Sequence, residues 1–280
     1  MQNILPSYKP RQEKPEVPLS NAITIVPNGD ILSLENLQAD ADKANAIMGN
    51  MSGYNCPKCL NRGFVTVVED DRLKIRICSC TKVRKCIEDL KNLGINPSYT
   101  FKNFIADQPW QQNLQRLAIE FTKNPTGWLF VGGQVGCGKS HICSAIVRNL
   151  LIGGHAAKYV MWEDTAASLK SVINEFDRYE SIIKPLREAE ILYIDDFLKP
   201  TEKNSKPTPA DLRQAYAILN ARYNNPKSIT IISSEFWLSE ILEMNEAVGS
   251  RIIERTGNNK VNVDRKIGRN YRLLDTGRTL

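Results

Sequence analysis

The chain has no apolar run approaching the roughly 18 residues that a membrane-crossing helix needs. Its first residues, MQNILPSYKPRQEKPE, also lack the apolar core of a signal peptide. Both absences predict a cytoplasmic protein with no membrane partner. A large charge imbalance is missing too: 37 Lys and Arg against 31 Asp and Glu leave +6, too little alone to imply a polyanionic partner. No internal repeat is visible. Seven cysteines, an odd number, in a chain without an export signal argue against a disulfide framework, so close Cys pairs read as metal ligands. What remains is ordinary globular composition, 42% hydrophobic and 24% charged over 280 residues, enough for one large domain and a smaller one.

The charge that is present clusters. Residues 251–280 hold eight Lys and Arg against three acids, and residues 54–91 hold nine against five. Two basic regions on a near-neutral body suit contact with a polyanion, as they suit solvated surface. Residues 1–32 carry Pro6, Pro10, Pro15, Pro18 and Pro27 with few aromatics, which predicts a flexible arm. From Ser33, Leu34, Leu37, Ala41, Ala44, Ile47, Met48 and Met51 recur at helical spacing, predicting one amphipathic helix whose apolar stripe packs on its own domain or on a partner.

In CPKCLNRGFVTVVEDDRLKIRICSC, the pairs Cys56/Cys59 and Cys78/Cys80 flank two β-rich arms joined by the acidic Glu69-Asp70-Asp71. A hairpin brings both pairs to one end, where four thiolates can close a tetrahedral Zn²⁺ site, and a module this small needs such a staple. Cys86, in a Lys/Arg-rich helical stretch, is a substitute fourth ligand or an ordinary half-buried Cys. Residues 33–93 thus read as a helical and zinc-binding domain. Residues 94–106 read as a linker anchored by Tyr99, Phe101 and Phe104, and residues 107–280 as the larger domain. There strands at 128–131, 158–162, 191–195, 228–233 and 261–263 alternate with helices at 140–152, 164–177, 208–223 and 238–255. That alternation predicts an α/β fold, a parallel sheet covered on both faces.

GGQVGCGKS at 132–140 meets the phosphate-loop pattern through Gly133, Gly138, Lys139 and Ser140, between a strand and a helix. Glycines let the backbone wrap a triphosphate and aim its N–H groups and the helix N-terminus at the anion. Lys139 reaches the outer phosphates and Ser140 binds Mg²⁺. The expected ATP/ADP contacts are Gly133, Gln134, Val135, Gly136, Cys137, Gly138, Lys139, Ser140 and His141. ILYIDDF at 191–197 suits a buried strand that delivers two acids to the phosphate end of the sheet: Asp195 to hold Mg²⁺, Asp196 to orient the attacking water. Ser233-Ser234-Glu235 ends the next strand at the same edge.

The order of a CPxC…CxC hairpin, a GxxGxGKSH loop, an LYIDD strand, a TIISS strand end and a GSRIIER segment resembles the DnaC/DnaI-type helicase loaders of bacteria and their phages. Those are AAA+ ATPases, and IstB transposition helpers share much of the ATPase domain. The resemblance spans roughly residues 54–275. It implies a three-layer AAA+ domain with strand order 5-1-4-3-2 and no full helical lid. It implies self-association into a spiral or ring in which Arg251, or one turn later Arg255, enters the neighbouring subunit's ATP. It also implies weak, stimulated ATP hydrolysis, a hexameric DnaB-type replicative helicase as partner, and single-stranded DNA along basic residues such as Lys158, Lys170 and the C-terminal arginines. The alternatives are an IstB-like transposition helper and a nucleotide-binding adaptor with little turnover. One departure bears on the last: Glu235 stands where the family has the Asn that senses the γ-phosphate, a repulsive charge unless paired or turned away, with Ser234 as substitute.

Overall fold

The computed structural model describes residues 34–200 and 206–271. The expected flexible arm, and the last basic residues Arg272 and Arg278, lie outside these. The chain divides into two compact units, Met1–Arg84 and Lys85–Leu280, so the division falls inside a helix rather than at residue 93.

In the first unit, α1 (Leu34–Asn45) buries Leu37 and Ala41 but stops before Ile47, Met48 and Met51, which are exposed. The longer predicted helix is cut because Asn45 and the residues after it take other partners. The Asn45 side chain accepts from Thr66 N–H and donates to Thr66 O, Arg62 donates to Ala44 O and Asn45 Oδ1, and Gly49 N–H donates to Leu60 O. Gly49 is required there, since a Cβ would lie 2.3 Å from Asn61 O. β1 (Phe64–Glu69) and β2 (Arg72–Ile77) form the expected antiparallel hairpin, Glu69 opposite Arg72. Asp70 and Asp71 turn the chain with φ of 51° and 55°, the left-handed pair that matches strand twist in a two-residue hairpin. Val65 and Val67 pack on the cysteines, while Phe64, Ile75 and Ile77 are exposed. Helix α2 (Cys80–Asn92) spans the division.

The second unit carries α3 (Pro109–Lys123), β3 (Trp128–Gly133), α4 (Lys139–Ile152), β4 (Ala157–Met161), α5 (Trp162–Ser171), α6 (Phe176–Glu188), β5 (Ile191–Asp195), α7 (Pro209–Tyr223), β6 (Ile229–Ser234), α8 (Leu238–Met244), α9 (Glu246–Thr256) and β7 (Lys260–Val263). All five strands are parallel, in the order β4-β5-β6-β3-β7. Numbered from β3, that is 5-1-4-3-2, the order the resemblance implies. Alternate residues of each strand feed opposite faces. Trp128, Phe130, Leu192, Ile194 and Ile232 meet α5 to α9, and Leu129, Val131, Tyr193 and Ile231 meet α3 and α4. The result is a three-layer domain.

Two expectations change here. The 164–177 helix is α5 plus the start of a separate helix, α6, which buries Ile183 and Leu186 despite Pro185 in its last turns. The 94–106 segment is part of the core rather than a linker, because Ile95 and Phe104 are buried with Cys86, Leu90 and Leu114. At the far end of the sheet, Arg222 is fully buried with no carboxylate partner among the described residues. It donates to Thr230 Oγ1 at 2.9 Å and to the carbonyls of Leu186, Ala189 and Ile229 at 2.7–3.0 Å, which ties the end of α6 to the start of β6. Burial, and then Arg255, push its pKa down to about 10. After β7 the described residues hold one 3-10 turn, Ile267–Arg269.

Candidate functional site

The phosphate loop joins β3 to α4. Gly133, Gly136 and Gly138 have φ of 102°, 71° and 93°, the left-handed region that glycine alone adopts freely. A Cβ on Gly133 would lie 2.1 Å from Val263 O, and one on Gly136 would lie 2.0 Å from Asn270 Oδ1. Two neighbours hold the loop: Gln134 N–H donates to Val263 O and Tyr271 N–H to Gly136 O. Lys139, buried at the start of α4, donates to Gly133 O at 2.9 Å and Gln134 O at 2.8 Å, a curled loop with its ammonium at the centre. Val135 is exposed at the tip, and Cys137 is buried, its thiol pushed up by burial. His141 turns away from the loop. Its Nε2 lies 2.9 Å from Thr100 O, and its ring stacks on Tyr99 with centroids 4.6 Å apart.

The two acids end β5 opposite this loop. Ser140 Oγ donates to Asp195 Oδ1 at 3.0 Å, so the predicted Mg²⁺ pair meets directly. Asp195 also accepts from Ser233 Oγ and, at 3.3 Å, from Tyr159 O–H. Burial, then Asp195, raise the pKa of Tyr159, which keeps its proton for that bond. Asp196 stands in the left-handed region, φ 50°, and its N–H donates to Asp195 Oδ1 at 3.1 Å. Its carboxylate pairs with Lys199 at 2.9 Å, and the same ammonium lies 3.1 Å from Glu235. Glu235 is therefore paired. Ser234 is buried and donates to Phe197 O at 2.7 Å, which leaves its hydroxyl committed to the backbone.

Sequence reasoning missed Tyr159 and Lys199. Tyr159 carries no sequence signal, because strand register alone sets it beside Tyr193. Lys199 has one only in its separation of three from Asp196.

Arg251 is not part of this cluster. On α9 it donates to Asn220 Oδ1 at 3.0 Å and Ala247 O at 2.8 Å, and its guanidinium lies 4.9 Å and 5.2 Å from the rings of Tyr216 and Tyr223. Arg255 donates to Asn225 O and Pro226 O. Neither pairs with Glu254, which accepts from Tyr223 O–H at 2.7 Å. Lys170 is tied to Asp211 at 2.9 Å.

In the first unit the four predicted thiols meet. Cys56, Cys59, Cys78 and Cys80 are buried, with all four Sγ atoms within 4.8 Å of one another. Cys56 and Cys78 are 3.8 Å apart and Cys59 and Cys80 are 3.5 Å apart. Zn–S bonds of about 2.3 Å in a tetrahedron set sulfur atoms about 3.8 Å apart, so the donor set fits zinc. Leu60, Asn61 and Gly63, all with positive φ, curl the chain after Cys59 so that Gly63 N–H donates to its sulfur at 3.3 Å. Burial raises the Cys59 thiol, but the Gly63 N–H and the other three thiols outweigh it and lower its pKa, while burial and the Cys59 sulfur raise that of Cys80. Cys86 lies outside the cluster in the second unit, its thiol directed at Arg148 O.

The family model of the bacterial DnaA ATPase domain matches residues 95–256, more than half of the chain. The chain belongs to that family. Membership makes it an AAA+ ATPase, with ATP binding and hydrolysis as its general activity. Two relatives from Bacillus subtilis (strain 168) are similar over most of both chains. The uncharacterized protein YqaM is 26% identical over 258 residues, 74% of this chain and 82% of that one. The phage-like element PBSX protein XkdC is 28% identical over 217 residues, 72% and 80%. A solved structure described as a DNA replication initiation factor has a TM-score of 0.51 at 16% identity, covering 64% of this chain and 54% of that one, a likeness of fold alone. No helix among the described residues is long and apolar enough to cross a membrane.

Proposed function

We propose that this AAA+ ATPase loads a hexameric DnaB-type replicative helicase onto single-stranded DNA, with ATP as the switch between assembly and release. One observation supports this above the others: a small unit built on a four-cysteine cluster precedes, in one chain, an ATPase unit whose phosphate-loop Ser140 meets the strand acid Asp195. The likeness to XkdC, a protein of a phage-like element, fits a mobile-element loader.

Hydrolysis of ATP would supply the free energy of the switch, and Mg²⁺, when bound, would neutralise charge on the phosphate oxygens. In this reading Lys139 exchanges the carbonyls of Gly133 and Gln134 for outer phosphate oxygens, and the amides of 133–140 line the phosphates. Ser140 and Asp195 would hold Mg²⁺, with Ser233 and Tyr159 fixing the Asp195 carboxylate. Asp196 orients the water. Arg251, with no acid of its own to pair with among the described residues, is presented to the ATP of a neighbouring subunit, so turnover depends on assembly. Zn²⁺ on the four cysteines would keep the first unit folded for a protein partner. The adaptor alternative draws its support from an unpaired Glu235, and Lys199 pairs it.

Phosphate release from ATP, measured with and without single-stranded DNA, tests the reading. A low rate that rises with DNA is expected. No turnover under either condition would make the chain an adaptor.

A further inference from the structure

Lys199 divides one ammonium between two carboxylates, 2.9 Å from Asp196 Oδ2 and 3.1 Å from Glu235 Oε1. The turn that carries it is tightly built. Lys199 N–H donates to Asp196 O at 3.0 Å, and Asp196 and Leu198 both stand in the left-handed region. Phe197 N–H donates to Ser233 O, which docks the turn on the end of β6, one residue short of the Ser234 that precedes Glu235. The two acids, Asp196 foremost, raise the pKa of Lys199, so the bridge keeps its charge at neutral pH.

A carboxylate that accepts from an ammonium is a poorer acceptor for a proton of water than a free one. We propose that Lys199 is a positioning residue that restrains Asp196, and that Glu235 sets the strength of the restraint by competing for the same ammonium. This rests on the reading of Asp196 as the acid that orients the attacking water. It gives Glu235 a purpose that direct contact with a triphosphate does not: it draws Lys199 off Asp196.

The two ends of the bridge then act with opposite sign. Lys199→Met frees Asp196 and raises basal kcat. Glu235→Gln leaves the ammonium to Asp196 and lowers it. Each change is roughly two- to fivefold, the size that a partly exposed ion pair carries, with KM for ATP unchanged. Lys199→Arg, which keeps the charge, restores a rate near that of the unaltered protein.

The experiment is steady-state ATP turnover of the full chain and of Lys199→Met, Lys199→Arg, Glu235→Gln and Asp196→Asn, with a melting temperature for each. Opposite shifts from Lys199→Met and Glu235→Gln, at matched melting temperatures, support the proposal. A slower or unchanged Lys199→Met, with Asp196→Asn inactive, overturns the restraint and leaves the role of Asp196 standing. If Asp196→Asn keeps the full rate, the assignment of Asp196 itself fails. Should Lys199→Met not fold, the isosteric Glu235→Gln decides: a rate at or above that of the unaltered protein overturns the proposal.

Discussion

Lys139 sits at the centre of the phosphate loop. Its ammonium satisfies two loop carbonyls at the point where phosphate oxygens are expected to replace them, so Lys139→Ala removes the cation and leaves the fold. Nucleotide binding by fluorescence titration should fall at least tenfold with the melting temperature held, and unchanged affinity would contradict the phosphate-loop assignment. The meeting of Ser140 with Asp195 is legible in the sequence, because a glycine-rich loop before a helix and an apolar strand ending in acids come to the same edge of a parallel sheet. Tyr159 and Lys199 are not, since their roles come from strand register and from a turn in a left-handed conformation. Asp211 closes the capping box of α7 with Thr208 and pairs with Lys170. Burial raises its pKa, but the Thr208 hydroxyl and N–H and the Lys170 ammonium outweigh it, so the folded value lies below the unfolded one. The stability it contributes is present above its ordinary value near 3.8 and is lost as pH falls through the folded value. Melting temperature should therefore drop with pH below that value in the unaltered chain, and Asp211→Asn should flatten the slope.

Among the elements, the hairpin and its knuckle are legible because Cys spacing and a two-residue acidic turn leave few other folds. The end of α1 is not. Helical periodicity continues to Met51, but side-chain bonds from Asn45 and Arg62 stop the helix, a tertiary effect that no local pattern announces. Cys56→Ser, or chelation, should melt the four-cysteine unit, seen as a lost low-temperature transition, and leave the ATPase transition in place. Metal analysis should give one zinc per chain, and finding none would refute the site. Arg222 marks the opposite case, a buried cation whose partners among the described residues are carbonyls and one hydroxyl. Arg222→Leu leaves those acceptors unpaired in the core and should cost about 3 kcal/mol or more in denaturant unfolding. A loss below about 1 kcal/mol would mean the acceptors find water instead.

At the scale of the whole molecule, the parallel sheet and its strand order follow from alternating elements and from the family resemblance. The division at Arg84–Lys85 and the packing of Ile95 and Phe104 depend on which apolar groups the ATPase core recruits, and composition alone reads that stretch as a linker. On the proposed reading Arg251 acts in a second subunit. Arg251→Ala should leave ATP affinity unchanged while lowering assembly-dependent turnover about tenfold or more, the range of a lost arginine finger. Unchanged turnover would pass the role to Arg255. The central claim is tested most directly by size-exclusion chromatography with light scattering. The chain is mixed with a hexameric DnaB-type replicative helicase, with and without ATP and Mg²⁺. A co-eluting complex of defined mass whose population depends on nucleotide is expected, and separate elution under every condition would contradict the role of a loader.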